Sequence, residues 1–287
     1  DLSEAVSSSS RIAQADLTAV TPRVVVDTHF AQVAVDENSR ATVESDGDPA
    51  TVDKGSESSE EETESEPYQL HELKLPEPRF DRPSARDRQV TLVVAQLLRR
   101  EHLLNDPLDD EHSRRGLQNY LKSLDPMKVY FYQSDIARFL EYQDELDDRL
   151  KRGDIQLAYT IFSIFLERIG ERVRDIDILL SEEQDFSVEE QIITDRDAAH
   201  YPKDSAEALE RWRRRIKYDL LNLKADETTG HEARKRLWRR YSSFAKRMCQ
   251  TESDELLEMY LTALTTGYDP HTTFMSASTL DNFHIAL

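Results

Sequence analysis

The sequence predicts an all-α fold, an irregular multi-helix bundle preceded by a disordered acidic N-terminal segment. Three observations predict it. Apolar residues return every three or four positions from about Ser84 onward, only 7 glycines punctuate 287 residues, and alternating β-branched runs are scarce. That length is ample for a core. The pattern divides the chain into a low-complexity segment, 1–77, a helical body, 78–268, and a short C-terminal linker, 269–287.

Within 1–77, Ser7 to Ser10 and the run from Ser56 to Glu66 are low in complexity, and the latter is strongly acidic. Such stretches bury too little apolar surface to offset the entropy of ordering, so disorder is expected. Val24 to Val26 and Phe30 to Val35 have strand character without an evident partner strand. Pro76, Pro78 and Pro83 make a stiff entry to the body.

The first helix carries Val90, Val93, Val94, Leu97 and Leu98 and runs to His102. A second, from near Asp109, presents Leu117, Tyr120, Leu121 and Leu124 and stops at Asp125-Pro126, because proline cannot continue it. Met127 to Tyr132 reads as a buried connector, with Ser134-Asp135 capping a third helix that carries Ile136, Phe139, Leu140, Leu146 and Leu150. Gly153 ends it and Asp154 caps the longest helix, whose stripe runs from Ile155 through Phe162, Phe165, Ile169 and Ile176 to Leu180. Ser187-Val188-Glu189-Glu190 fits a capping box for a short helix. Ser205 opens a helix with Leu209, Trp212, Ile216, Leu220 and Leu221 inward. Ala233, Leu237, Tyr241, Phe244 and Met248 define the next, and Leu256, Leu257, Tyr260, Leu261 and Leu264 the one ending at Gly267, where left-handed geometry is cheap.

Net charge of −20 argues against a polyanion binder as a whole. Against that background stands a basic cluster: Arg211, Arg213, Arg214, Arg215, Lys217, Arg234, Lys235, Arg236, Arg239, Arg240, Lys246 and Arg247. Trp212, Trp238 and Tyr241 could stack bases beside it. They fall on apolar faces, so no nucleic-acid partner is expected, and an acidic partner or the chain's own tail suits the cluster better. Cys249, the only cysteine, forbids an intrachain disulfide and leaves the compartment open. No apolar run is long enough to span a bilayer, and the start at Asp1 without an export signal is expected of a mature or trimmed segment.

Candidate chemistry is thin. Asp269, His271 and neighbouring hydroxyls could make a hydrolytic or metal site, but a turn in which Asp, Thr and Ser bond local backbone is favoured. The acidic face of the third helix lacks a loop to converge it on a cation. Asp197 with His200 and Asp281 with His284 have metal-like spacing but lack the facing glutamates of a di-iron bundle. His231-Glu232 and His71-Glu72 lack the second histidine of a zinc helix. No catalytic, cofactor or metal residue is nominated.

Two stretches carry a family resemblance. Leu124-Asp125-Pro126 through Lys128, Tyr130-Phe131 and Ser134-Asp135-Ile136, and Asp269-Pro270-His271-Thr272 with Phe274, Ser276 and Phe283, resemble the N-terminal domain of tail-specific, or carboxy-terminal processing, proteases. Trp212 to Lys217 adds a weaker likeness, and Phe274 and Ala277 depart from the Tyr and Pro expected there. The resemblance implies a periplasmic serine endopeptidase that selects proteins by apolar C-termini. It places a PDZ domain and a Ser-Lys dyad beyond the Asp-Pro-His-Thr segment, so 269–287 is the start of the lead into that PDZ domain. It also implies an adaptor lipoprotein docking on the helical part. The alternative from another class is a freestanding helical adaptor that binds another protein between its helices.

Overall fold

The computed structural model describes residues 74–78, 82–102 and 106–286. The strand-like patches, the acidic run, the His71-Glu72 pair, Leu103 and the His284 side chain lie outside the described residues. The described residues form α1 (Ala85–Arg100), α2 (Asp110–Leu124), α3 (Gln133–Leu140), α4 (Leu146–Arg152), α5 (Gln156–Ser181), α6 (Ser205–Ala225), α7 (Gly230–Cys249), α8 (Ser253–Tyr268) and α9 (Ala277–Ala286), with no strand among them.

The order follows the apolar periodicity, and several helices start where a polar side chain meets the first free N–H groups. Ser84 and Asp87 form a reciprocal capping box for α1, Asp109 accepts from Glu111 and His112 at α2, and Asp204 accepts from Glu207 at α6. The apolar stripe of α5 includes Ile161, Phe162, Phe165, Ile169 and Ile176, all buried. Full burial of each such side chain stabilises by roughly 1.5–3 kcal/mol, so α5 is the axis of the core. α6 and α7 pack on it from one side, while α2 packs along α8 and α4 closes against α1 and α2.

Five expectations need correction. The third helix is two: after Leu140 the chain makes consecutive short turns, with Tyr142 N–H to Phe139 O and Glu145 N–H to Tyr142 O, before α4 resumes. No glycine or proline marks this break. It is imposed from α2, where Ser113 Oγ donates to Asp147 Oδ1 and accepts from Asp147 N–H, and Arg114 pairs with Asp144 at 2.6 Å. The cap of α3 is also shifted: Tyr132 is the N-cap residue, and Asp135 reaches back to its N–H.

Ser187 opens no helix. Asp185 Oδ1 takes its N–H and hydroxyl in a local turn, and Glu190 points across to Arg213 and Lys217 of α6. Leu209 and Leu221 are each 40% exposed, because the inward face of α6 runs through Ala208, Trp212, Ile216, Leu220 and Leu223. The presumed linker after 269 contains α9, which Ser276 caps by accepting Thr279 N–H and which Thr279 ties to Glu258 at 2.9 Å.

Candidate functional site

Two aspartate-proline corners and one basic helix concentrate the polar chemistry. The first corner follows α2. Asp125 is buried, and its carboxylate accepts N–H groups from Val129, Tyr130 and Phe131 at 2.8–3.0 Å. Burial pushes this carboxyl above its usual range, and the three donors pull against that. Lys128 sits in the left-handed region at φ 54°, a costly place for a residue with a Cβ, and its Nζ is held by Ala199 O at 2.6 Å.

The loop drawn around Asp125 aims its aromatics in fixed directions. Tyr130 meets Phe165, Trp212 and Phe244, Phe131 meets Phe139 and Phe165, and Trp212 Nε1 donates to Val129 O. Asp135 then receives Arg168 through two nitrogens at 2.8 Å each. Burial opposes the charge of Asp135, but Arg168 and the Tyr132 N–H overcome it and hold the carboxyl below its usual range. The aromatic residues of this connector therefore pack into the core.

The second corner follows α8. Gly267 lies inside the helix, so left-handed geometry is not why it is glycine: a Cβ there would stand 2.7 Å from Gly116 N, where α8 crosses α2. Beyond the crossing, Asp269 accepts His271 N–H at 3.2 Å and the Thr272 hydroxyl at 2.9 Å. Thr266 and Thr262 of α8 donate to Thr272 O and Phe274 O, clasping the returning chain. Burial raises the Asp269 carboxyl, but His271 and the Thr272 hydroxyl outweigh it and hold it below its usual range.

His102 enters from the end of α1, with Nε2 at 2.8 Å from Thr272 Oγ1 and 3.5 Å from Asp269 Oδ2. Tyr268 lies between the rings of His102 and His112, and its hydroxyl donates to Asp106 O. Asp, His and a hydroxyl are thus together, but not as a relay. In a triad the carboxylate and the nucleophile occupy opposite imidazole nitrogens. Here both face Nε2, and Thr272, 2% exposed, already gives its proton to Asp269. The local-turn reading of this segment holds. Sequence reasoning missed His102, which lies 170 positions from Thr272 and carries no local signal. The glycine crossing did leave one, because scarce glycines inside helical patterns mark close approach.

Elsewhere Asp197 and His200 turn to different partners. His200 faces Glu207 at 3.7 Å, and Asp197 N–H turns to Asp195. Lys217, 5% exposed, is held by Glu190 Oε2 at 2.6 Å and Val188 O at 2.7 Å. Glu190 is pulled down to about 2 by Arg213 and then Lys217. Among the described residues no three His, Cys, Asp or Glu gather as metal ligands would, and no helix is long and apolar enough to cross a membrane.

The structure divides the basic cluster. On α6, Arg211 pairs with Glu207, Arg213 with Glu190 and Glu210, and Arg214 with Glu210. Arg215 bonds Tyr241, and Trp212, Trp238 and Tyr241 are buried, so none of the three presents a face for stacking bases. On α7, Arg240 pairs with Asp219, while Arg236, Arg239 and Lys246 have no ion pair among the described residues.

The described residues form an all-helical body whose two aspartate-proline corners are held by internal hydrogen bonds. Residues 93–278 match the tail-specific protease N-terminal domain, and the chain belongs to that family. Over 188 residues it is 34% identical to the Tail-specific protease of Haemophilus influenzae (strain ATCC 51907 / DSM 11121 / KW20 / Rd), an alignment covering 65% of this chain and 27% of that relative. The chain thus spans about a quarter of the curated relative it matches.

Proposed function

We propose that this chain is the non-catalytic helical region of a periplasmic serine endopeptidase that recognises proteins by their apolar C-termini. A PDZ domain and a Ser-Lys dyad supplied by sequence beyond residue 287 would bind and cut the substrate. The observation that carries this reading is the family match across 93–278, which takes in both aspartate-proline corners. Two features support it: the Thr272 hydroxyl is committed to Asp269, and the buried Lys217 is committed to Glu190.

The helical body would also dock another protein, an adaptor lipoprotein of the envelope. Tyr218 and Leu221 on α6 and Phe186 and Val188 before it are apolar and exposed, as a docking face is. Incubating residues 1–287 with an unfolded protein that ends in apolar residues should give no cleavage. Turnover surviving removal of contaminating proteases would defeat the proposal. Reading the encoding DNA past Leu287 separates it from a freestanding adaptor: a glycine-rich PDZ stretch followed by Ser and Lys motifs supports the protease, and an immediate stop codon supports the adaptor.

A further inference from the structure

We infer that the outward face of α7 is a docking surface for the chain's own acidic run, residues 57–66. The helix holds seven Lys and Arg against a single carboxylate, Glu232, in a chain of net charge −20. Ala233, Leu237, Trp238, Tyr241, Ala245 and Cys249 turn inward, so Arg236, Arg239, Arg240, Lys246 and Arg247 share the exposed side. Their spacing of three, four and seven makes one stripe along about three turns. The α6 half of the sequence cluster is neutralised by Glu190, Glu207 and Glu210, but the described body leaves most of this stripe without a carboxylate. A hollow of about 310 Å³ floored by Leu223 and Leu237 lies beneath Arg236, Arg239 and Arg240.

The occupant follows from charge and tether. Residues 1–73 hold seventeen carboxylates against four Lys and Arg, and six of the carboxylates are glutamates between positions 57 and 66. Downstream of that run, Leu75 packs on the core, its Cδ1 3.7 Å from where a Cβ of Gly170 on α5 would stand. The eight peptide steps from Glu66 to Lys74 reach about 26–29 Å. α7 packs directly on α5, the helix that Leu75 touches, so the anchor of the tether and the stripe stand on neighbouring helices. A tether this short gives the run an effective concentration on the order of millimolar at the stripe. A second copy has the same net charge of −20 and would be repelled before contact.

The test uses the full chain. Carbodiimide couples carboxylates to lysine amines that they touch, so at low salt peptides from 57–66 should be joined to Lys246 in preference to the exposed Lys122, Lys203 and Lys224. The yield should fall at 1 M salt, where the screening length is about 3 Å. Replacing the six glutamates of the run by glutamine should raise acetylation of Lys246 about threefold, the protection lost when a tethered segment occupying its site about two-thirds of the time lets go. The triple variant Arg236→Glu, Arg239→Glu, Arg247→Glu should lose the Lys246 link. If that variant does not fold, the glutamine variant, which alters no residue of the helical body, decides alone. Links spread evenly over all lysines, or unchanged Lys246 acetylation on neutralising the run, would overturn the inference. Links found only between differently isotope-labelled copies would overturn it in favour of a second chain.

Discussion

The two corners share a local sequence and differ in everything around it. Each is an aspartate at the C-cap of a helix, Asp125 after α2 and Asp269 after α8, followed by proline. Asp125 is buried and gathers three successive backbone N–H groups; Asp269 is partly open and takes one N–H, one hydroxyl and the approach of His102. Burial therefore decides the role. An enclosed carboxylate fixes the backbone, because removing it leaves three buried or half-buried N–H groups without their acceptor. A rim carboxylate shares its work with solvent and adjusts.

Breaking the enclosed corner should cost most. Asp125→Ala leaves three N–H groups without their acceptor and should lower unfolding stability by about 3 kcal/mol in a urea titration. Next comes the crossing that delivers the second corner: Gly267→Ala puts a methyl against the Gly116 backbone and should cost about 2 kcal/mol by the same titration. Arg168→Met, which strands Asp135, should cost about 1.5–2 kcal/mol and shrink on double substitution with Asp135→Asn. Asp269→Asn at the rim should cost about 1 kcal/mol, a third of the Asp125 effect; equal losses at the two corners would erase the distinction.

Acid sharpens the same contrast. Asp135 and Asp269 are held below the ordinary carboxylate value of 3.8, so the folded state favours their charged forms. Their contribution is complete above that value and is lost as pH falls through the depressed one. Asp125 is shifted upward and has the opposite sign: its charged form is disfavoured by folding, so its protonation does not drive acid unfolding. Urea midpoints measured down the acid limb should therefore fall less steeply for Asp135→Asn and Asp269→Asn than for the parent, and more steeply for Asp125→Asn.

The body was legible where one helix face meets one core. Phe162, Phe165 and Ile169 repeat at helical spacing and are buried together. Legibility failed where a distant side chain intervened. Ser113 breaks the helix after Leu140, and α6 cations pull Glu190 away from the cap it could have formed. The inward face of α6 was misjudged at Leu209 and Leu221, and the stem of Lys217, which hydropathy would place outside, is buried instead. At the second corner Asp269 and Thr272 were readable as a turn, but their third member, His102, arrives from α1.

Gly116 and Gly267 touch across 151 positions of sequence, and that has a bearing on synthesis. The last long helix of the body can seat itself only on one that left the ribosome early, and contacts of such separation form slowly. Whatever is joined after the Asp269 turn takes its bearing from a surface near the beginning of the body. A nascent chain halted before Gly267 would hold α2 without its counterpart, exposing Leu117 and Leu121 to the folding machinery of the cell.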